Sequence, residues 1–360
     1  MSSSEESSED EANDDWKAGS SAFSGISEIP QAENGVAQIA YAQEYVQAMG
    51  ILRALMAMEG KDVAALPLPT SQNPTGAAAD RAAVWLTAYI INTNPAHYSV
   101  WACRRNWLCF PASASPDPNA DLDAVRRLLQ GEWHFTARLA RKHPKSYQIW
   151  HHRQWLVSCT RDPSRELSFI NKQLARDSKN YHAWSYRQWV VREFPDLYPM
   201  DVEDVEDWIK EDPYNNSAWT QRYFQLDYIF KASGAATPAA LLEKEVSWLL
   251  ESVIKPAPRN EAAWNYLKGV IVKKGRGRLC EWPVIRSYCL EYLPTAGQEG
   301  KQGQGVSVGS VSPPLVCILD IAMEEGDRDL GLRAIDRLLQ TDFTRERYWT
   351  FRKQKIQAES

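Results

Sequence analysis

The chain has 360 residues, 44% of them apolar, with 41 basic and 46 acidic side chains and a net charge of −5. That length supports one elongated domain or two compact ones. The near-balanced charge argues against nucleic-acid binding, and no apolar run of about 18 residues argues for a transmembrane helix.

No signal peptide opens the sequence, so a cytosolic protein with reduced thiols is expected. Residues 1–30 read as a disordered, acidic, Ser-rich tail; its first 15 residues carry seven acids and five serines. Such a segment cannot offset its ordering entropy. Its acids follow serines in a pattern that suits an acid-directed kinase, but the composition favours a simple solubilising tail.

From residue 36 a single helical domain is expected to run to residue 360. Between Val36 and Met58, Ile39, Tyr45, Val46, Met49, Leu52, Leu55 and Met56 recur at helical spacing. Pro and Gly mark residues 59–77 as a loop. Further loops are expected near 110–120 and 294–314. No stretch shows strand alternation, so the fold class is all-α. The six cysteines, Cys103, Cys109, Cys159, Cys280, Cys289 and Cys317, form no CxxC pair, so no metal site made by this chain alone is expected.

The helices repeat. "HPKSYQIWHHRQW" (143–155) aligns with "DSKNYHAWSYRQW" (177–189), "DPYNNSAWTQRYF" (212–224) and "NPAHYSVWACRRNW" (94–107). "PRNEAAWNYLKG" (258–269) is a weaker copy, and "RERYWTFRK" (345–353) is a remnant. The shared tryptophans are Trp101, Trp150, Trp184, Trp219, Trp264 and Trp349, at gaps of 49, 34, 35, 45 and 85. Gaps of 34 and 35 match a tetratricopeptide-like pair of helices. The last gap leaves room for a degenerate pair. Ser146, Asn180, Asn215 and Asn260 sit four before the Trp, as N-caps; His97 is a poor cap there. Three after the Trp come Arg104, Arg153, Arg187, Arg222 and Arg352, with Leu267 in the fifth unit. Trp and Arg share a face that each unit must bury against its neighbour. A partly buried Arg needs an anionic partner, and Glu166 and Glu203 are candidates. His151 and His152 point about 100° apart, a poor metal pair, and read as structural.

What the repeat leaves over is a rim at the start of the second helices: Lys145, Tyr147, Gln148, Lys179, Tyr181 and His182, with Tyr98 and Arg259 at equivalent positions. Cations at a helix N-terminus suit an anion. A merely solvated polar edge is the open alternative.

These motifs in this order resemble the α-subunit family of protein prenyltransferases, of the kind shared by protein farnesyltransferase and geranylgeranyltransferase type I. The likeness spans about Tyr41 to Arg352. It implies an α-α superhelix, a right-handed crescent of helical hairpins wrapping a β subunit. It implies an enzyme, active only as the heterodimer, that transfers farnesyl or geranylgeranyl from its diphosphate to the Cys of C-terminal CaaX proteins such as small GTPases, forming a thioether. Zinc belongs to the β subunit and magnesium assists farnesyl transfer. The resemblance carries catalytic roles to Lys145, Tyr147, Tyr181 and His182, with Lys145 and His182 at the diphosphate and Gln148 at the CaaX carboxylate. The α subunit of Rab geranylgeranyltransferase is the nearest alternative, and a non-catalytic peptide-binding scaffold the other. "NEAAWNYLKG" and "KNYHAW" favour the farnesyltransferase type.

Overall fold

The computed structural model describes residues 16, 19–30, 41–58, 77–109, 118–232, 238–293 and 312–358. Within these residues the chain is all-α, with fifteen α-helices and no strand. It divides into two compact units, Met1–Arg187 and Gln188–Ser360, where one domain from residue 36 was expected. The division falls inside a helix. In a repeat array each hairpin touches mainly its neighbours, so compactness alone does not mark a natural boundary.

The first unit begins with side chains that the acidic tail was expected to contain. Trp16 and Phe23 are buried, with ring centroids 5.9 and 6.1 Å from Trp85. The reading of 1–30 as disordered therefore fails at these residues: two large aromatics supply the burial that residues 1–15 lack. Residues 1–15 lie outside the described residues, as do 31–40 and all but the last residue of the loop expected at 59–77; that residue, Ala77, is already helical. Helix α1 (Gln43–Met58) packs on α2 (Ala77–Thr93), which pairs with α3 (Tyr98–Cys109). Helix α4 (Pro118–Lys142) pairs with α5 (Tyr147–Thr160), and α6 (Glu166–Leu174) meets α7 (Tyr181–Glu193) through Tyr186. Because α4 starts at Pro118, the loop expected at 110–120 is shorter on that side; Pro is well tolerated in a first turn.

The second unit holds α8 (Tyr198–Glu211), α9 (Asn216–Ala232), α10 (Pro238–Leu249), α11 (Glu261–Lys268), α12 (Pro283–Leu290), α13 (Ser312–Glu325), α14 (Arg328–Thr341) and α15 (Glu346–Ala358). The expected loop at 294–314 likewise ends at Ser312. Helices α12 and α13 are the degenerate pair between the fifth and sixth tryptophans. Gly326, at φ +74°, makes the tight turn into α14 that a side chain would strain.

The tryptophans close their own hairpins. Each indole Nε1 donates to the carbonyl six residues earlier: Trp101 to Pro95 and Trp150 to Pro144 at 2.9 Å, Trp184 to Ser178 at 2.9 Å, Trp219 to Pro213 at 2.8 Å and Trp264 to Pro258 at 3.0 Å. Trp349 departs, donating to the Asp342 carboxylate at 3.0 Å. The cap residue of a later hairpin reaches the same carbonyl: Asn180 Nδ2 donates to Pro144 O at 3.4 Å and Asn260 Nδ2 to Pro213 O at 2.5 Å. The caps themselves form at Asn180, Asn215 and Asn260, whose Oδ1 atoms accept backbone N–H groups. Ser146 sits at its N-cap position but accepts none of them; its hydroxyl donates to Gln148 Oε1 at 3.0 Å instead.

The arginines join consecutive hairpins. Arg104 on α3 donates twice to Glu132 on α4, at 2.8 and 2.7 Å, and also to Val84 O and Thr87 Oγ1 on α2. Arg153 on α5 donates twice to Glu166 on α6, at 2.8 and 2.9 Å, and to Thr136 on α4. Arg222 on α9 does the same with Glu245 on α10, at 2.7 and 2.9 Å, and pairs with Glu206 on α8 at 3.0 Å. So Glu166 is a partner as expected, whereas Glu203 is exposed and its neighbour Glu206 takes part. One turn of helix separates the two positions by about 300°, which sequence spacing alone did not resolve.

Each carboxylate is then bonded from the other side by the residue two after the next Trp: His152 on Glu132 at 2.7 Å, Tyr186 on Glu166 at 2.7 Å and Tyr266 on Glu245 at 2.6 Å. Arg187 is fully buried and donates to Asn171 at 2.6 Å. In the fifth unit Leu267 is buried and the adjacent Lys268 pairs with Asp320 at 2.5 Å. Arg352 bonds Tyr348 rather than a carboxylate.

Candidate functional site

Lys145, Tyr147, Gln148, Lys179, Tyr181 and His182 all lie in the first unit, whereas Arg259 lies in the second. Lys145, Ser146, Tyr147 and Gln148 line an open hollow of about 490 Å³ with Pro95, Ala96, His143 and Pro144. Tyr147 is the first residue of α5 and Tyr181 the first of α7. They are 68% and 70% exposed, although tyrosine is a large ring to leave in water. The His182 ring stands edge-on to Tyr147, with centroids 4.3 Å apart at 89°, and 5.6 Å from Tyr181 at 79°. Three of the four residues assigned catalytic roles are thus in ring contact, and the fourth, Lys145, shares the hollow with Tyr147.

Local structure explains the placement. Pro144 O takes hydrogen bonds from Trp150 and Asn180, so the peptide next to Lys145 is held by two hairpins. Asn180 Oδ1 accepts from the His182 backbone N–H at 2.9 Å, fixing the start of α7. Gln148 is oriented at both ends of its amide. Its Oε1 accepts from Ser146, and its Nε2 donates to Ala96 O at 3.0 Å. One amide N–H remains to point outward. Lys179 is exposed, and its backbone N–H bonds the Asp177 carboxylate at 3.2 Å.

Burial between the two tyrosines lowers the pKa of His182. It is therefore a neutral imidazole at neutral pH, a hydrogen-bond donor through one ring N–H rather than a standing cation. The rim's positive character comes from the Lys145 ammonium and the two helix N-termini.

His143 was not singled out from the sequence. It lines the same hollow, its Nε2 is buried without a hydrogen-bond partner among the described residues, and burial followed by Lys142 lowers its pKa. The signal available was its place at the head of the repeated motif. His152, by contrast, is structural: its ring is buried between Trp101 and Trp155 and bonded to Glu132, while His151 is exposed. Among the described residues no group of three His, Cys, Asp or Glu side chains is placed to hold a metal ion, and no helix is long and apolar enough to cross a membrane.

The protein prenyltransferase alpha subunit repeat matches residues 129–160, 163–194 and 199–229. The "Protein farnesyltransferase/geranylgeranyltransferase type-1 subunit alpha" of Schizosaccharomyces pombe is 35% identical over 256 residues, 71% of this chain and 74% of that one. The chain belongs to the protein prenyltransferase alpha-subunit family. The namesake subunit of Candida albicans is 31% identical over 250 residues, covering 68% of this chain and 70% of that one. The rat "Geranylgeranyl transferase type-2 subunit alpha" is 29% identical over 194 residues, covering 52% of this chain and 33% of that one. Among solved structures, "Candida albicans protein geranylgeranyltransferase-I complexed with GGPP" is similar with a TM-score of 0.69 at 25% identity, over 93% of this chain and 98% of that chain. The family repeat matched at 129–160 contains Lys145, Tyr147 and Gln148, and that at 163–194 contains Tyr181 and His182.

Proposed function

We propose that this chain is the α subunit of a heterodimeric protein prenyltransferase of the farnesyltransferase/geranylgeranyltransferase type I kind. With a β subunit it transfers a prenyl group from its diphosphate to the Cys of CaaX proteins. The observation that carries this reading is the gathering of Tyr147, Tyr181 and His182 at two helix N-termini beside Lys145. Relatives with that printed name, over most of their length, support the type over the type-2 subunit.

The roles follow from charge. A departing diphosphate accumulates negative charge on its oxygens. The Lys145 ammonium, the Tyr147 and Tyr181 hydroxyls and the His182 N–H are donors held in place before it arrives, which is how an active site stabilises developing charge at little reorganisation cost. Gln148, with one amide N–H still available, is suited to the C-terminal carboxylate of the protein substrate. Zinc, on this reading, comes with the β subunit and stabilises the substrate thiolate. Magnesium assists farnesyl transfer.

Co-expression tests the assembly. The chain is expected to co-purify one-to-one with a β partner and to transfer labelled prenyl groups to a CaaX peptide only as that pair. Folding and function as a monomer that binds peptides without transfer would favour the scaffold reading. Transfer only to Rab proteins would favour the type-2 reading.

A further inference from the structure

A second hollow, of about 680 Å³, lies between α4 and α6, away from the rim residues. Its lining includes Arg138, Arg141, Arg165, Lys172 and Arg176 and, among the described residues, no Asp or Glu. All five are exposed. None forms an ion pair with another described residue, and the sixth cation there, Arg153, is consumed by Glu166. Asp162 lies near enough to Arg165 to feel its charge, but its carboxylate is engaged by the Ser164 backbone N–H at 3.0 Å. Trp133 and Phe169 contribute to the lining. Five cations with no ion pair among the described residues repel one another and raise a positive potential that an anionic chain relieves.

We propose that the acidic start of this same chain, residues 5–15, docks in this hollow. Residues 1–15 carry Glu5, Glu6, Glu9, Asp10, Glu11, Asp14 and Asp15, and no cation. The segment ends at a fixed point. Trp16 is buried on α2, with ring centroids 5.9 Å from Trp85 and 4.9 Å from Tyr89. Helix α2 is one guanidinium away from α4, since Arg104 bonds both Thr87 and Glu132. Arg153 bridges α4 and α6 in the same way, through Thr136 and Glu166. From α2 to the hollow is therefore about two interhelical spacings, on the order of 20 Å. Fully extended, the eleven residues 5–15 reach about 36–40 Å. The tether gives an effective concentration of order millimolar, so a weak electrostatic contact suffices.

The test uses the full chain, purified with its partner subunit and treated with a carbodiimide that joins touching amines and carboxylates. Lys172 is expected to couple to an acid of residues 5–15, with the yield collapsing in 1 M salt, where the screening length falls to about 3 Å. In a mixture of isotope-labelled and unlabelled protein the coupling stays within one chain. Coupling between labels, coupling to the partner subunit, or none at all overturns the proposal. In a second measurement, a chain lacking residues 2–15 binds a fluorescent peptide of that sequence at least about tenfold tighter than the full chain does, because the tether no longer competes. Equal affinity overturns it. So does equal binding of both chains to vesicles rich in phosphatidylserine, which would make the hollow an open membrane-facing surface.

Discussion

Arg153 and Glu166 meet through two hydrogen bonds of 2.8 and 2.9 Å, one helix reaching into the next hairpin, with both side chains almost wholly buried. Tyr186 then donates to the same carboxylate from the far side, and its own pKa is pushed up by burial and by the Glu166 charge. Such a pair is not itself evidence of net stability, because two ions have left water to form it. Breaking one half leaves the other uncompensated.

Arg153→Met alone is accordingly expected to lower stability by about 3–5 kcal/mol. Adding Glu166→Gln to it removes the orphaned charge while keeping an acceptor for Tyr186, so the double variant is expected to recover part of that loss. Urea unfolding of both variants, as a double-mutant cycle, measures the coupling. Arg187→Ala is also expected to lower stability, by emptying a fully buried site and leaving the Asn171 side-chain carbonyl without that donor; unchanged melting with reduced activity would refute a packing role for Arg187.

Acid should unfasten the joint at Glu132. Burial disfavours its charge, but Arg104 and the hydrogen bonds from His152 and Arg104 outweigh it and hold the pKa at about 2. A depressed carboxylate contributes stability that is present above its unfolded pKa of about 4.5 and is lost as pH falls toward 2. His152 acts in the same direction: burial lowers its pKa despite Glu132, so acid below about pH 6.5 favours the unfolded state. Melting temperature is expected to fall from pH 6.5 to 3. Glu132→Gln should flatten the lower part of that slope, and a slope identical to the parent's would count against it.

In the heterodimer, Lys145→Ala is expected to slow the chemical step far more than it weakens peptide binding, by about 10²-fold, the scale for loss of one preorganised donor. Single-turnover kinetics separate the two. Gln148→Ala is expected mainly to weaken the peptide, since its remaining N–H is assigned to a carboxylate. An unchanged peptide dissociation constant would remove that role.

Diphosphate binding is expected to take up a proton at His182. The imidazole is neutral in the free protein because burial lowers its pKa. A dianion beside it favours the charged form. Calorimetry in buffers of different ionisation enthalpy reads this uptake near pH 7. His182→Asn should reduce it, and equal uptake in both proteins would place the proton elsewhere.

The repeat and the rim were both legible in the sequence, because Trp, Arg and the cap residue recur at fixed offsets and whatever did not recur stood out. Lys145, Tyr147 and His182 were found by that subtraction. Glu132 and Glu245 were not, since the acid that answers each Arg lies 28 or 23 residues away on another helix. Ser146 was read as a cap by its type, but the Gln148 amide lay within reach and took its hydroxyl. Trp16 was lost in the acidic composition around it, although one buried indole outweighs several solvated carboxylates in deciding where a chain packs.

The carbonyls of Pro95, Pro144, Ser178, Pro213 and Pro258 receive the indole of their own hairpin, and three of them also lie within hydrogen-bond reach of the cap residue of a later one, Ser146, Asn180 or Asn260. A backbone oxygen is there whatever the side chain. Ser178 serves as well as a proline, so a position that looks free to drift in a comparison of repeats is mechanically a pivot. Substitutions at these sites should pass almost unnoticed. Loss of the tryptophan or asparagine that grips them should shift Lys145 and Gln148, which follow a pivot directly or bond to the residue that does.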